Sequence, residues 1–109
     1  MIVCVPTEGA KGLDERIAND VGSAPTFTLF DSSTNKIKVV ERSRSDSGNA
    51  FEMADHFPNG EIDAVIVSKM EEKSIAKLKK KGIVVYEGAR GTLAETIMNW
   101  GQGRLARHI

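Results

Sequence analysis

"EGARGT", residues 87 to 92, is the stretch of this chain best equipped to hold a charged ligand. Arg90 is a permanent cation, Gly88 and Gly91 allow tight backbone turns, and Thr92 opens a helical pattern whose first amides are available to an anion. A phosphate, a carboxylate or an anionic cluster fits that chemistry. The plainer alternative is a strand-to-helix turn with glycine where the backbone demands it. No Lys-Ser/Thr phosphate-loop pattern accompanies the stretch.

The other reactive side chains are scattered. Asp20 stands just ahead of the Gly22-Ser23-Ala24-Pro25 turn. There a carboxylate either binds a metal or accepts a hydrogen bond from a turn amide near Gly22 or Ser23. Cys4 lies inside the apolar run "IVCV", where cysteine behaves as a small buried hydrophobe. His56, just before Phe57-Pro58, suits the free carbonyls of a helix C-terminus, and His108 belongs to the tail. Cys4 and the two histidines have no metal-ligand spacing within one chain, although a dimer could assemble ligands across its axis. No Ser-His-Asp or Cys-His set can be placed on facing elements, so binding is expected rather than catalysis.

Composition narrows the field further. With 15 basic and 15 acidic residues among 109, the chain lacks the cationic surplus that sequence-independent nucleic-acid binding needs. A chain of this length buries roughly two-thirds of its extended surface as a single domain, spanning residues 1–109, without disulfides or a structural metal. One cysteine excludes an internal disulfide and is at home in a reducing cytosol. No apolar run is long enough for a membrane span, and no basic-then-apolar leader opens the chain.

The elements that must position these residues follow from periodicity. "MIVCVP" is apolar on both faces, as a central strand covered by helices should be. The glycine-containing "PTEGAKG" loop follows, then a short helical turn through Leu13, Ile17 and Val21. "TFTLFD" and "IKVVER" around "SSTNK" read as an antiparallel hairpin. Asn49 and Glu52 have capping-box spacing for a short helix ending at Pro58-Asn59-Gly60. "IDAVIVS" is another doubly apolar strand. Ser68 and Glu71 then predict a capped helix closing at Gly82, with Lys77, Lys79, Lys80 and Lys81 at the end its dipole favours. "IVVYEG" is the last strand, Thr92 and Glu95 predict the cap of the last helix, and residues 102–109 read as a fraying tail. This order argues an α/β layered domain with right-handed crossovers in its second half. In such sheets ligands bind beyond the carboxyl ends of parallel strands, here at "PTEGAKG", "SKMEE" and "EGARGT".

Two segments carry a family resemblance over nearly the whole chain. "VGSAPTF" (residues 21–27) resembles the Phe-Gly-Arg-Ala-Pro-x-Phe segment of the nitrogenase iron-molybdenum cofactor biosynthesis family, the NifX/NafY and C-terminal NifB type of domain. "GIVVYEGARGTLAETI" (residues 82–97) resembles its closing Gly-Ile-x-Val-Tyr and Gly-Thr helix start. The resemblance implies a ribonuclease-H-like three-layer α/β fold: a five-stranded mixed sheet of order three-two-one-four-five, strand two antiparallel, with helices on both faces. It also implies a cytoplasmic protein that binds or carries an iron-sulfur or iron-molybdenum cluster transiently, without catalysis. Where many members have Ser-x-His-Phe-Gly, this chain has Ala18-Asn19-Asp20-Val21-Gly22, a carboxylate in place of a softer imidazole. Where the family commonly has glycines after strand four, it has Ser68-Lys69-Met70-Glu71.

The ribonuclease-H-like fold raises two-metal hydrolysis, which needs a carboxylate inside the first strand. Ile2-Val3-Cys4-Val5 supplies none. The expected site is thus a mouth formed by Thr7, Glu8, Asp20, Ser68, Arg90, Gly91 and Thr92, taking an anionic metal cluster or small anion. The alternative is an interaction module of the same fold that has lost the cluster and binds a protein partner or small anion through the same rim.

Overall fold

The computed structural model describes residues 1–19, 24–41 and 62–108. Asp20, the Gly22 turn, and the helix expected after Asn49 with its His56 cap lie outside the described residues.

β1 (Ile2–Thr7), β2 (Thr26–Asp31), β3 (Lys36–Glu41), β4 (Ala64–Ile66), β5 (Val84–Glu87) and β6 (Ala106–His108) form one mixed sheet of order β3-β2-β1-β4-β5-β6. β1, β4 and β5 run parallel, β2 is antiparallel to both β1 and β3, and β6 is antiparallel to β5. The implied order and the antiparallel second strand are therefore present. The sixth strand is an addition: the tail expected to fray pairs Ala106 with Glu87 and Arg107 with Tyr86. Leu105, packed against the core, carries the chain back to that edge.

Strict alternation along the central strands builds two cores. Cys4, Phe27, Leu29, Val65 and Val85 face one side and are covered by Ile75 and Leu78 of α1 (Glu72–Lys80). Val3, Val5, Ala64 and Ile66 face the other, under Leu93, Ile97 and Trp100 of α2 (Leu93–Gly101). Helices thus lie on both faces, which is why strands β1 and β4 have no polar face. Each fully buried Val, Leu, Ile or Phe contributes about 1.5–3 kcal/mol of transfer free energy to that arrangement. Cys4 is wholly buried in the first core, as a small hydrophobe should be.

The β2–β3 hairpin closes as expected. Asp31 accepts Ser33 N–H on Oδ1 (2.9 Å) and Asn35 N–H on its carbonyl (2.7 Å), and Asn35 takes a left-handed φ of 59°.

Two local expectations fail. Leu13 and Ile17 do not share a helical turn. A 3-10 turn spans only Gly12–Asp14, after which the chain extends so that Ile17 bridges Thr7 and Arg16 bridges Thr92. Ser68 does not cap α1, which starts at Glu72 with Glu71 at the N-cap position and no side-chain cap. Lys77, Lys79 and Lys80 do occupy its last turn, exposed, where the dipole favours them. No described helix is long and apolar enough to cross a membrane.

Candidate functional site

The parallel run of β1, β4 and β5 brings their carboxyl ends to one edge, and backbone hydrogen bonds stitch the three following loops together. Gly88 N–H donates to the Ser68 carbonyl and Ala89 N–H to that of Val67, both at 3.2 Å. Ile17 N–H donates to the Gly91 carbonyl (3.0 Å) and Leu93 N–H to that of Glu15 (2.8 Å). The β1 loop closes on itself through Glu8 N–H to Arg16 O (3.0 Å) and Ala18 N–H to Pro6 O (2.9 Å). Glu8, Ser68, Arg90, Gly91 and Thr92 therefore border one continuous rim.

Within that rim the residues differ in what they have left to offer. Thr7 is wholly buried at the end of β1, its hydroxyl 2.6 Å from that of Thr26 and 3.0 Å from that of Thr28. Thr26 also reaches the carbonyls of Thr7 (3.0 Å) and Gly9 (2.8 Å). This hydroxyl cluster lets the sheet bury threonine on its second face, since each buried polar atom finds a partner. Thr7 thus supports the rim from beneath and presents no hydroxyl to a ligand. Glu8 and Arg90 are exposed, and Ser68 is half-buried. Asp20 lies outside the described residues, so its place relative to Arg90 is not part of this geometry.

The start of α2 is also more fully engaged than its sequence implies. Thr92 and Glu95 make the reciprocal box: Glu95 N–H donates to Thr92 Oγ1 (3.3 Å), while Glu95 Oε1 accepts Thr92 N–H (3.4 Å) and the Thr92 hydroxyl (3.2 Å). With Leu93 N–H taken by Glu15, an anion would meet the Glu95 carboxylate where the helix dipole would otherwise welcome it. Gly91 has φ 84°, and a Cβ there would approach both Glu95 carboxylate oxygens at 3.0 Å.

Glutamates likewise occupy amides in the other two loops. Glu87 Oε2 accepts Met70 N–H (3.0 Å) after β4. Glu15, buried beneath the β1 loop, accepts Arg16 N–H on Oε2 (2.9 Å) and Lys11 N–H on Oε1 (3.4 Å). The guanidiniums are the contrast. Arg16 is brought by the bridge directly across from Thr92, two residues beyond Arg90; both arginines are exposed, and neither guanidinium makes a hydrogen bond or ion pair to a described residue.

Arg16 was not singled out by spacing, because a helical reading of residues 13–21 sends it elsewhere. Alternation of Glu15 and Ile17, both buried, around exposed Arg16 is the strand-like signal that would have found it. Among the described residues no three His, Cys, Asp or Glu side chains come together as a metal-ligand set.

Residues 1–103 match a family profile described as dinitrogenase iron-molybdenum cofactor. Among solved structures, a candidate NifB protein from Thermotoga superposes with a TM-score of 0.77 at 25% identity, over 95% of this chain and 90% of that one. The apo form of the orange protein from Desulfovibrio gigas gives 0.80 at 21% identity, over 98% and 92%. A candidate dinitrogenase protein from Methanocaldococcus jannaschii gives 0.69 at 21%, over 99% and 94%. The last two likenesses are of fold alone. A search of curated proteins finds no match.

Proposed function

The chain belongs to the dinitrogenase iron-molybdenum cofactor family, and from that premise we propose that it is a non-enzymatic binding protein that carries an anionic iron-sulfur or iron-molybdenum precursor. The observation that carries this reading is the disposition of charge in the rim. Glu15, Glu87 and Glu95 accept backbone amides of the three loops, while the guanidiniums of Arg16 and Arg90, on either side of the Gly91–Thr92 turn, have no partner among the described residues. Guanidinium forks suit a polyatomic anion, and two of them favour a cargo with several negatively charged corners. The cargo is held by charge and hydrogen bonds, with Asp20 as the one carboxylate in the family's ligand position. Such a hold suits transient carriage, since at most one protein ligand, the Asp20 carboxylate, has to be exchanged for release.

Anaerobic reconstitution with iron and sulfide, followed by absorption spectroscopy and metal analysis, tests this. The expected result is a coloured protein with stoichiometric iron, and a tenfold or greater loss of retained iron in Arg90→Ala and Arg16→Ala. A colourless wild type that takes up no iron overturns it.

The lack of a described three-residue donor set supports one other reading, a module of the same fold that binds a protein or small anion at this rim. Stoichiometric iron that Asp20→Ala abolishes would exclude that reading.

A further inference from the structure

Glu15 is the one acidic side chain buried among the described residues, and the carrier reading gives it no contact with the cargo. Its surroundings are built around it. Oε2 accepts Arg16 N–H at 2.9 Å, Oε1 accepts Lys11 N–H at 3.4 Å, and a Cβ on Gly9 would collide with Oε1. The loop from Gly9 to Arg16 is therefore wrapped over a carboxylate of its own. The same residue's carbonyl receives Leu93 N–H, the first amide of α2, at 2.8 Å, and the next two residues pair with Thr92 and Gly91.

From this geometry we infer that Glu15 is the positioning residue of the rim: its carboxylate orders the β1 loop and so holds Arg16 at a fixed spacing from Arg90 across the Gly91–Thr92 turn. A buried carboxylate bonded to two amides acts as a fixed peg. Removing it leaves two amide donors under the loop without acceptors, and the loop opens to hydrate them. The strands beneath, held by their own ladders and two apolar cores, do not depend on it. In its functional consequence this inference rests on the carrier reading, because it makes Glu15 the residue that sets which anion size the two guanidiniums span. In its structural content it stands alone.

The test is residue-resolved amide hydrogen exchange on the cargo-free full chain, comparing wild type, Glu15→Ala and Glu15→Gln. Glu15→Ala should exchange at least tenfold faster at Lys11, Arg16, Ile17 and Leu93, with Val3, Val65 and Val85 unchanged. Millimolar formate or acetate, small enough to enter the vacated place, should restore slow exchange, whereas chloride at equal ionic strength should not. A purely structural loss of packing would not be rescued by a carboxylate. Glu15→Gln keeps the shape but offers one acceptor oxygen, so it should protect one of Lys11 and Arg16 and expose the other. It decides the matter if Glu15→Ala fails to fold. Wild-type exchange at all four amides in Glu15→Ala, wild-type exchange at both Lys11 and Arg16 in Glu15→Gln, or equal rescue by chloride, overturns the inference.

Iron and sulfide reconstitution of the same proteins separates the two ideas. A wild type that takes up no iron while the exchange pattern holds removes the carrier reading and leaves Glu15 as the peg. Faster iron loss to a chelator from Glu15→Gln, with Arg16 and Arg90 intact, joins them.

Discussion

Threonine hydroxyls in this molecule sit in two opposite circumstances. Thr28 is wholly buried with its Oγ1 3.0 Å from that of Thr7, whereas Thr96, also wholly buried, has no partner for Oγ1 among the described residues. Valine has nearly the same shape and a similar helix propensity, so substitution isolates the hydroxyl. Thr28→Val removes a satisfied bond and should destabilise by about 1 kcal/mol; Thr96→Val removes an unsatisfied buried group and should stabilise by about 1 kcal/mol. Urea unfolding of both variants checks the signs, and a destabilised Thr96→Val would mean that its hydroxyl has a partner after all. A single residue's environment is legible in the sequence only where its chain neighbours determine it. The apolar placement of Cys4 followed from its neighbours. The burial of Thr7 did not, because a polar residue at a strand end looks solvent-facing until its cross-strand partners, Thr26 and Thr28, are known to be polar too.

Two capping-box spacings were equally visible, Ser68 with Glu71 and Thr92 with Glu95, yet only the second caps a helix. Tertiary contacts decide between them. The Ser68 carbonyl accepts Gly88 N–H, Met70 is buried, and Glu87 holds the Met70 amide, so the chain bends at Ser68 and does not enter the helix until Glu72. Glu15 and Arg16 were missed for a related reason: the pairing that extends them comes from Thr7 and Thr92, far away in sequence. The helix-dipole placement of the lysines, the hairpin turn and the doubly apolar strands were all local patterns, and they were readable. At this scale the Gly91–Glu95 pair makes a coupled prediction. Gly91→Ala places a Cβ at φ 84° and 3.0 Å from the Glu95 oxygens, and should cost about 1–2 kcal/mol. Glu95→Ala alone should cost about 1 kcal/mol as the cap weakens. In the Glu95→Ala background the glycine substitution should cost less by about 0.5 kcal/mol, because only the backbone strain remains. A double-mutant cycle by thermal or urea unfolding measures the difference, and strict additivity would separate the glycine requirement from the glutamate.

At the scale of the whole molecule, β6 is the element that neither periodicity nor the family pattern supplied. The family match ends at residue 103, and β6 begins at Ala106. What it covers explains its presence: without it the β5 edge would offer unpaired backbone from Val85 to Glu87, a ready template for another chain. Its own contribution is small, a three-residue ladder plus the partial burial of Leu105 against Tyr86 and Trp100's core. Ending the chain after Gly103 should therefore leave a folded, cooperative domain that is less stable by about 1–3 kcal/mol. That shortened chain should also self-associate more than the full chain at equal concentration, as read by sedimentation velocity. The rim lies at the carboxyl ends of β1, β4 and β5 and draws no residue from β6, so iron uptake on reconstitution should survive the truncation. If the shortened chain is unfolded, β6 belongs to the cooperative core; if it is as stable and as monodisperse as the full chain, edge protection is not its role.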